Sequence, residues 1–216
     1  MSATVRQLLG VSANTQLGAI GVVVEGDPDD PNGRTVDATP PSGGRSQSTV
    51  DSAGNVVIEL TGALDRGRQA QGRALKVLMQ ALGAQGDTVA RVPGERDDRG
   101  EDALLLLNGN RVTVQIVSLP IDQRPWRELT AVGKTSVVLT RREVIQVVRN
   151  GFLRKKESAQ GTLLVLDVAQ IPGIVSRAMV AEYVSIHRDP EQEFKLLQAW
   201  LVGPTLRSTL RIGGIA

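Results

Sequence analysis

The sequence predicts an α/β fold with a mixed central sheet flanked by helices, and three observations carry that prediction. Short apolar runs of strand type alternate along the chain with segments of helical periodicity. An Asn108-Gly109 pair joins two strand-like runs, which is a strong local signal for a hairpin. Residues 162–168, TLLVLDV, read as a buried strand of the kind that lies between helix layers. With 216 residues, the chain is long enough to bury about 70% of its extended surface.

Taken in order, residues 5–9 suit a brief helix, and residues 18–25 end in the apolar run Val22-Val23-Val24. Residues 27–55 are rich in Asp, Pro, Gly and Ser and predict a flexible insertion, closing on an Asp-Ser-Ala-Gly-Asn turn before the strand at 55–60. Leu64, Leu75, Leu78, Met79 and Leu82 share a helical spacing between residues 61 and 83, with Arg66, Arg68, Arg73 and Lys76 on other faces. Gly62, Gly67 and Gly72 each weaken that helix by about 1 kcal/mol relative to Ala, so its second half is the firmer part. A short strand at 88–92 precedes the polar stretch 93–100, and the hairpin pairs residues 103–107 with 112–117.

A short helix around 126–131 and a strand at 136–139 follow. Thr140 and Glu143 then form a capping-box signature, with Val144, Ile145, Val148, Phe152 and Leu153 giving an apolar face to a helix over 141–157. After the strand at 162–168 come a helix at 173–184, a second at 191–199 leading into residues 200–202, and an edge strand at 209–212. No internal repeat is present. The expected organisation is residues 1–60 as N-terminal strands carrying the insertion, and 61–216 as the α/β domain.

Composition narrows the function classes. Apolar residues make up 41% of the chain but aromatics only 2%, so the core rests on Leu, Val, Ile and Ala, and base stacking is a poor candidate for the main binding mode. With no Cys and one His, a Cys/His zinc centre and a disulfide are excluded, and any metal chemistry falls to carboxylates. The opening residues lack the pattern of a secretory signal and no apolar run approaches a membrane span, so a cytoplasmic protein with no membrane partner is expected. The net charge of +2 carries no polyanion argument by itself. Glycines at 42–44 and 213–214 lack the setting of a phosphate loop. His187 precedes a helix that Asp189 can cap, with Pro190 in its first turn, and reads as a surface residue, while Trp126 and Trp200 read as packing residues.

Two constellations bear on chemistry. Glu95, Asp97, Asp98, Glu101 and Asp102 stand just before the first hairpin strand, and Gln115 lies in the second; oxygen ligands at one sheet end suit Mg²⁺. The alternative is a solvated acidic loop. The other is the helix 141–156, where Arg141, Arg142, Arg149, Arg154, Lys155 and Lys156 face a single Glu143, so the rest of the chain is net negative. Such a concentration of cations fits a phosphate backbone. It equally fits a solvated face with cations complementing the helix C-terminus.

The succession of an amphipathic helix, the hairpin with Glu101-Asp102 and Val114-Gln115-Ile116-Val117, a helix, the strand Leu163-Leu164-Val165-Leu166-Asp167 and the run Ala199-Trp200-Leu201-Val202-Gly203-Pro204 resembles the PD-(D/E)XK restriction-endonuclease-like superfamily. The resemblance covers residues 61–204, about two thirds of the chain, and is specific in layout and poor in motif. It implies Asp102 and Gln115 as Mg²⁺ ligands of a deoxyribonuclease, with Glu101 assisting. Arg141, Arg142, Arg149, Lys155 and Lys156 would then contact DNA. The superfamily's lysine, two residues after the Glu or Gln, is replaced by Val117, which cannot neutralise a developing phosphorane. Lys134, Arg141 or Arg142 could supply the missing cation, and Glu101 the missing carboxylate. The other expectation is a catalytically silent module that keeps the fold for binding, as a homo-oligomer or with protein partners in a larger assembly.

Overall fold

The computed structural model describes residues 21–25, 35–39, 44–62, 67–93, 102–119 and 132–214. The helices expected near residues 5–9 and 126–131 lie outside these, as do Trp126 and the acidic residues Glu95, Asp97, Asp98 and Glu101.

Strands β1 (Gly21–Glu25), β2 (Thr35–Thr39), β3 (Arg45–Val50) and β4 (Val56–Thr61) form an antiparallel meander. β2 and β3 fall inside the segment whose composition suggested an unstructured insertion. β3 alternates cleanly: Ser46, Ser48 and Val50 are buried between exposed or half-buried neighbours, so small hydroxyls take positions where a larger apolar residue would have signalled a strand. The turn into β4 follows the sequence, with Asp51 Oδ1 accepting the backbone N–H of Ala53 at 2.9 Å and of Asn55 at 2.8 Å.

Next come α1 (Arg68–Ala84), β5 (Val89–Arg91), β6 (Ala103–Leu107), β7 (Asn110–Ser118) and β8 (Lys134–Leu139). β8 pairs with β4, so residues on either side of position 60 share one sheet. The hairpin closes on Asn108 at φ 51° and Gly109 at φ 82°, the left-handed pair that a two-residue turn of right-handed twist requires. Helix α2 (Arg141–Lys155) starts on the predicted capping box, with Thr140 and Glu143 bonding reciprocally. β9 (Leu163–Asp167), α3 (Arg177–Ile186), the one-turn α4 (Pro190–Glu193), β10 (Gln198–Val202) and β11 (Thr209–Arg211) complete the chain.

The region predicted as a helix at 191–199 divides instead. Lys195 takes φ 54° and stops α4, and β10 begins at Gln198. Residues 173–184 likewise open on a short 3-10 turn, Pro172–Ile174, and Ser176 caps α3 by accepting the N–H of Met179 at 3.1 Å.

The second sheet runs β11-β10-β9-β7-β6-β5, with β7, β9 and β10 parallel and the outer strands antiparallel. Alternation divides its side chains between two cores. Val114, Ile116, Leu163, Val165, Trp200 and Val202 meet Leu75, Leu78 and Leu82 of α1. Val117, Leu164, Leu166 and Leu201 belong to the other cluster, which holds Val144, Val148 and Phe152 of α2, Tyr183 of α3 and Ile58 of the first sheet. The mixed sheet is therefore flanked by α1 on one face, and by α2, α3 and the antiparallel sheet on the other. Trp200 is buried as expected, its indole N–H donating to Gln198 Oε1 at 2.9 Å. Among the described residues, no helix is long and apolar enough to cross a membrane.

Candidate functional site

Three parallel strands end side by side at Ser118, Asp167 and Val202, which are register partners. In an open α/β sheet, the carboxyl ends of the strands are where polar groups gather into sites. Here that end carries a buried cluster on the α1 face. Asp167 is 2% exposed and Arg73 of α1 is 10% exposed; Arg73 Nη2 donates to both carboxylate oxygens, at 2.9 and 3.1 Å. The N–H of Ala169 donates to the same carboxylate at 3.1 Å, and the Ser118 hydroxyl does so at 3.4 Å. Burial pushes the Asp167 carboxyl above its ordinary value, and the Arg73 charge works against that rise.

Asp102 enters the same region from the bend just before β6. Its Oδ1 accepts from Gln71 Nε2 of α1 at 2.6 Å, and its Oδ2 from the backbone N–H of Ile116 at 2.6 Å. Ile116 and Ser118 are two residues apart on β7 and share a face, so the groups they hold lie about 7 Å apart along the strand. Gln71 and Arg73, from the first half of α1, thus bind two carboxylates that come from different strands.

Gln115 is not part of this cluster. It is 2% exposed and faces the opposite side of the sheet, where its Nε2 donates to the Ser158 carbonyl at 2.6 Å and its Oε1 accepts the Ser158 hydroxyl at 3.2 Å. A buried carboxamide with donor and acceptor both satisfied pins the segment after α2 to the sheet. Asp102 and Gln115, expected from the sequence to ligate one ion, make their contacts on different faces. Val117, at the lysine position, is 3% exposed within the apolar cluster. Glu101, the third member of the expected set, lies outside the described residues, and among the described residues no group of three or more Asp, Glu or His could hold a metal ion.

The cations of α2 divide into two sets. Arg141 is paired with Glu182 of α3. Arg149 forks onto Glu193 of α4, lies 5.0 Å over the Phe194 ring and reaches the Tyr183 hydroxyl at 3.5 Å. The hydrogen bonds from Arg149 hold the Glu193 carboxyl below its ordinary value. Arg142, Arg154 and Lys156 are exposed and Lys155 is half-buried. Lys134 is exposed at the start of β8 in the antiparallel sheet. Arg141 and Glu182 also line a small open pocket of about 60 Å³ together with Val50, Val56, Val144, Ile174 and Met179. His187 packs its ring 5.1 Å from Tyr183.

No family model, curated protein or solved structure matches this chain. The chemistry open to the site therefore rests on its own groups. Asp167, Arg73, Gln71 and Ser118 were not singled out in the sequence as site residues. The available signal was Asp167 itself, the one charge in the apolar strand LLVLD, since a carboxylate in a strand buried on both faces requires a partner.

Proposed function

We propose that this chain is a DNA-associated α/β module resembling the PD-(D/E)XK superfamily, with an incomplete catalytic set, that works by binding rather than by phosphodiester hydrolysis. The resemblance draws support from the chain order α1, β5, β6, β7, β8, α2, β9, in which β8 joins the other sheet, with β7 parallel to β9 and the hairpin antiparallel. The observation that carries the binding reading is how the would-be catalytic groups are engaged. Asp102 accepts from Gln71 and Ile116, Gln115 is closed onto Ser158, and Val117 is packed in the core. A Mg²⁺-dependent mechanism would need at least the first two to turn toward a shared ion, each giving up buried hydrogen bonds worth about 1–3 kcal/mol apiece.

The test is incubation of the purified chain with plasmid, linear duplex and single-stranded DNA in Mg²⁺ or Mn²⁺, beside Asp102→Ala, with binding followed in parallel over a range of salt. Uncut DNA together with salt-sensitive binding is the expected result. Cleavage abolished by Asp102→Ala would replace this reading with that of a metal-dependent deoxyribonuclease, and a chain that neither cuts nor binds DNA would overturn the association itself.

A further inference from the structure

The DNA reading rested in the sequence on the whole basic helix α2, but the fold withdraws part of that helix. Arg141 and Arg149 are each consumed by an acid on another element, Glu182 and Glu193. Each arginine and its acid are together net neutral, so neither pair adds to the positive field that draws a phosphate. The cations that remain concentrate at the C-terminal end of α2, where Arg154 and Lys156 are exposed and Lys155 is half-buried.

A fourth cation arrives from a distant part of the sequence. The Lys195 carbonyl accepts the N–H of Gly161 at 2.8 Å, and the N–H of Ala159 donates to the Lys155 carbonyl at 2.9 Å. These two bonds bring the loop after α4 against the segment that leaves α2. Lys195 is exposed and has φ 54°, a left-handed conformation that Gly or Asn would adopt at less cost. The left-handed turn is the usual stop after a helix, with the Leu196 N–H bonding back to the Glu191 carbonyl at 2.9 Å, and it fixes where the Lys195 side chain leaves the loop. Favourable interaction with the helix dipole accounts for cations on α2's own last turn. It does not account for one supplied by another loop. No ion pair among the described residues engages any of the four, and Glu157 is the one acid in residues 154–161.

The geometry points to Arg154, Lys155, Lys156 and Lys195 as a docking surface for the phosphate backbone of DNA, an inference that rests on the DNA-associated reading and moves its contact from the length of α2 to its C-terminal end. Arg142, twelve residues earlier and about 18 Å away along the helix, lies outside this surface. Long flexible side chains around a helix end can follow a curved phosphate track without reading bases. Little sequence preference is expected.

The experiment measures binding of the full chain to a fluorescent DNA duplex as a function of salt. The variants are Arg154→Gln/Lys155→Gln/Lys156→Gln with Lys195→Gly, and Arg141→Gln/Glu182→Gln as a paired control. Each phosphate that is no longer neutralised takes about 0.9 from the slope of log K against log salt, so the patch variant should give up about 2 to 4 of that slope while the control keeps it. Lys195→Gly alone relaxes the backbone and should melt no lower than the parent, yet lower the slope by about 1. Parent binding with an unchanged slope in both patch variants overturns the surface and leaves the DNA reading standing; a parent that does not bind duplex overturns that reading first. Anionic phosphatidylserine vesicles serve as a separate arm, because Leu153 and Leu197 are exposed nearby. Patch-dependent vesicle binding without patch-dependent DNA binding assigns the surface to a membrane and overturns the proposal.

Discussion

Replacing Arg73 by methionine should test the buried cluster most directly, because its cost has a ceiling that can be worked out and a pH dependence that packing alone would not produce. Methionine keeps most of the arginine stem, so the main loss is the guanidinium that faces Asp167. Without that partner the buried carboxyl can escape its charge by taking a proton. For a group whose ordinary value is 3.8, doing so at pH 7 costs about 4 kcal/mol, at about 1.4 kcal/mol per pH unit. That proton sets the ceiling. The parent already carries part of that cost because its own folded value is raised, so the expected destabilisation at pH 7 lies below the ceiling, at about 2–3 kcal/mol, with a melting temperature lowered by about 5–10 °C. The sign with pH follows from the direction of the shift. Burial raises the folded value of Asp167, so its contribution is fullest below 3.8 and declines as pH rises through the raised value. Losing Arg73 raises that value further and extends the decline, so the gap between parent and variant should shrink to about 1–2 kcal/mol at pH 5. Urea unfolding at pH 5, 6 and 7 measures it. A loss below about 1 kcal/mol at pH 7, or one that does not change with pH, would refute the electrostatic account.

Two further outcomes follow from contacts elsewhere. Glu193→Gln should lower the melting temperature above pH 4.5 and converge with the parent below it: hydrogen bonds from Arg149 depress the folded value of Glu193, so its contribution is present above the ordinary value of 4.5 and lost on acidification through the folded one. Parallel melting curves across that range would count against the pairing. Gly203→Ala should cost about 2 kcal/mol or more in urea unfolding, because a Cβ there would meet the Ser208 carbonyl at 2.3 Å, a backbone atom held by the Gly203 N–H; a neutral substitution would show that the turn after β10 yields freely.

The parts of the fold that were legible in the sequence are those where local chemistry and tertiary packing agree. The Asn108-Gly109 turn, the Thr140–Glu143 capping box and the apolar strand ending at Asp167 each state their conformation within a few residues. β3 was not legible, because its core-facing positions are Ser46 and Ser48 and hydropathy registers no strand there. Nor was the end of α4. The residues after Glu191 carry apolar spacing compatible with a helix, but Phe194 and Leu196 are buried with Lys195 and Leu197 exposed, the two-residue alternation of an extended segment. The Arg149–Glu193 and Arg141–Glu182 pairs were invisible for a different reason. Charge counted along a helix says nothing about acids that other helices bring against it.

The separation of Asp102 from Gln115 has a cause that alternation cannot reveal. Ala103 is the register partner of Val114, so one more step of the ladder would set Asp102 opposite Gln115 with both side chains on the same face. That step is not taken: the Asp102 N–H turns onto the Val114 carbonyl at 3.0 Å, a bond that a regular ladder leaves to Ala103, β6 begins only at Ala103 and the chain bends there. Its carboxylate is therefore not held to the pleat and caps the ladder instead, accepting the Ile116 N–H that a continuing strand would have satisfied through its backbone. Gln71 draws it to the α1 face. A carboxylate that stands in for a strand's last carbonyl is structurally committed. An acid placed at position 115 or a lysine at position 117 would therefore put charge on the far face, beside Ser158 and the apolar core, away from the Asp102 carboxylate.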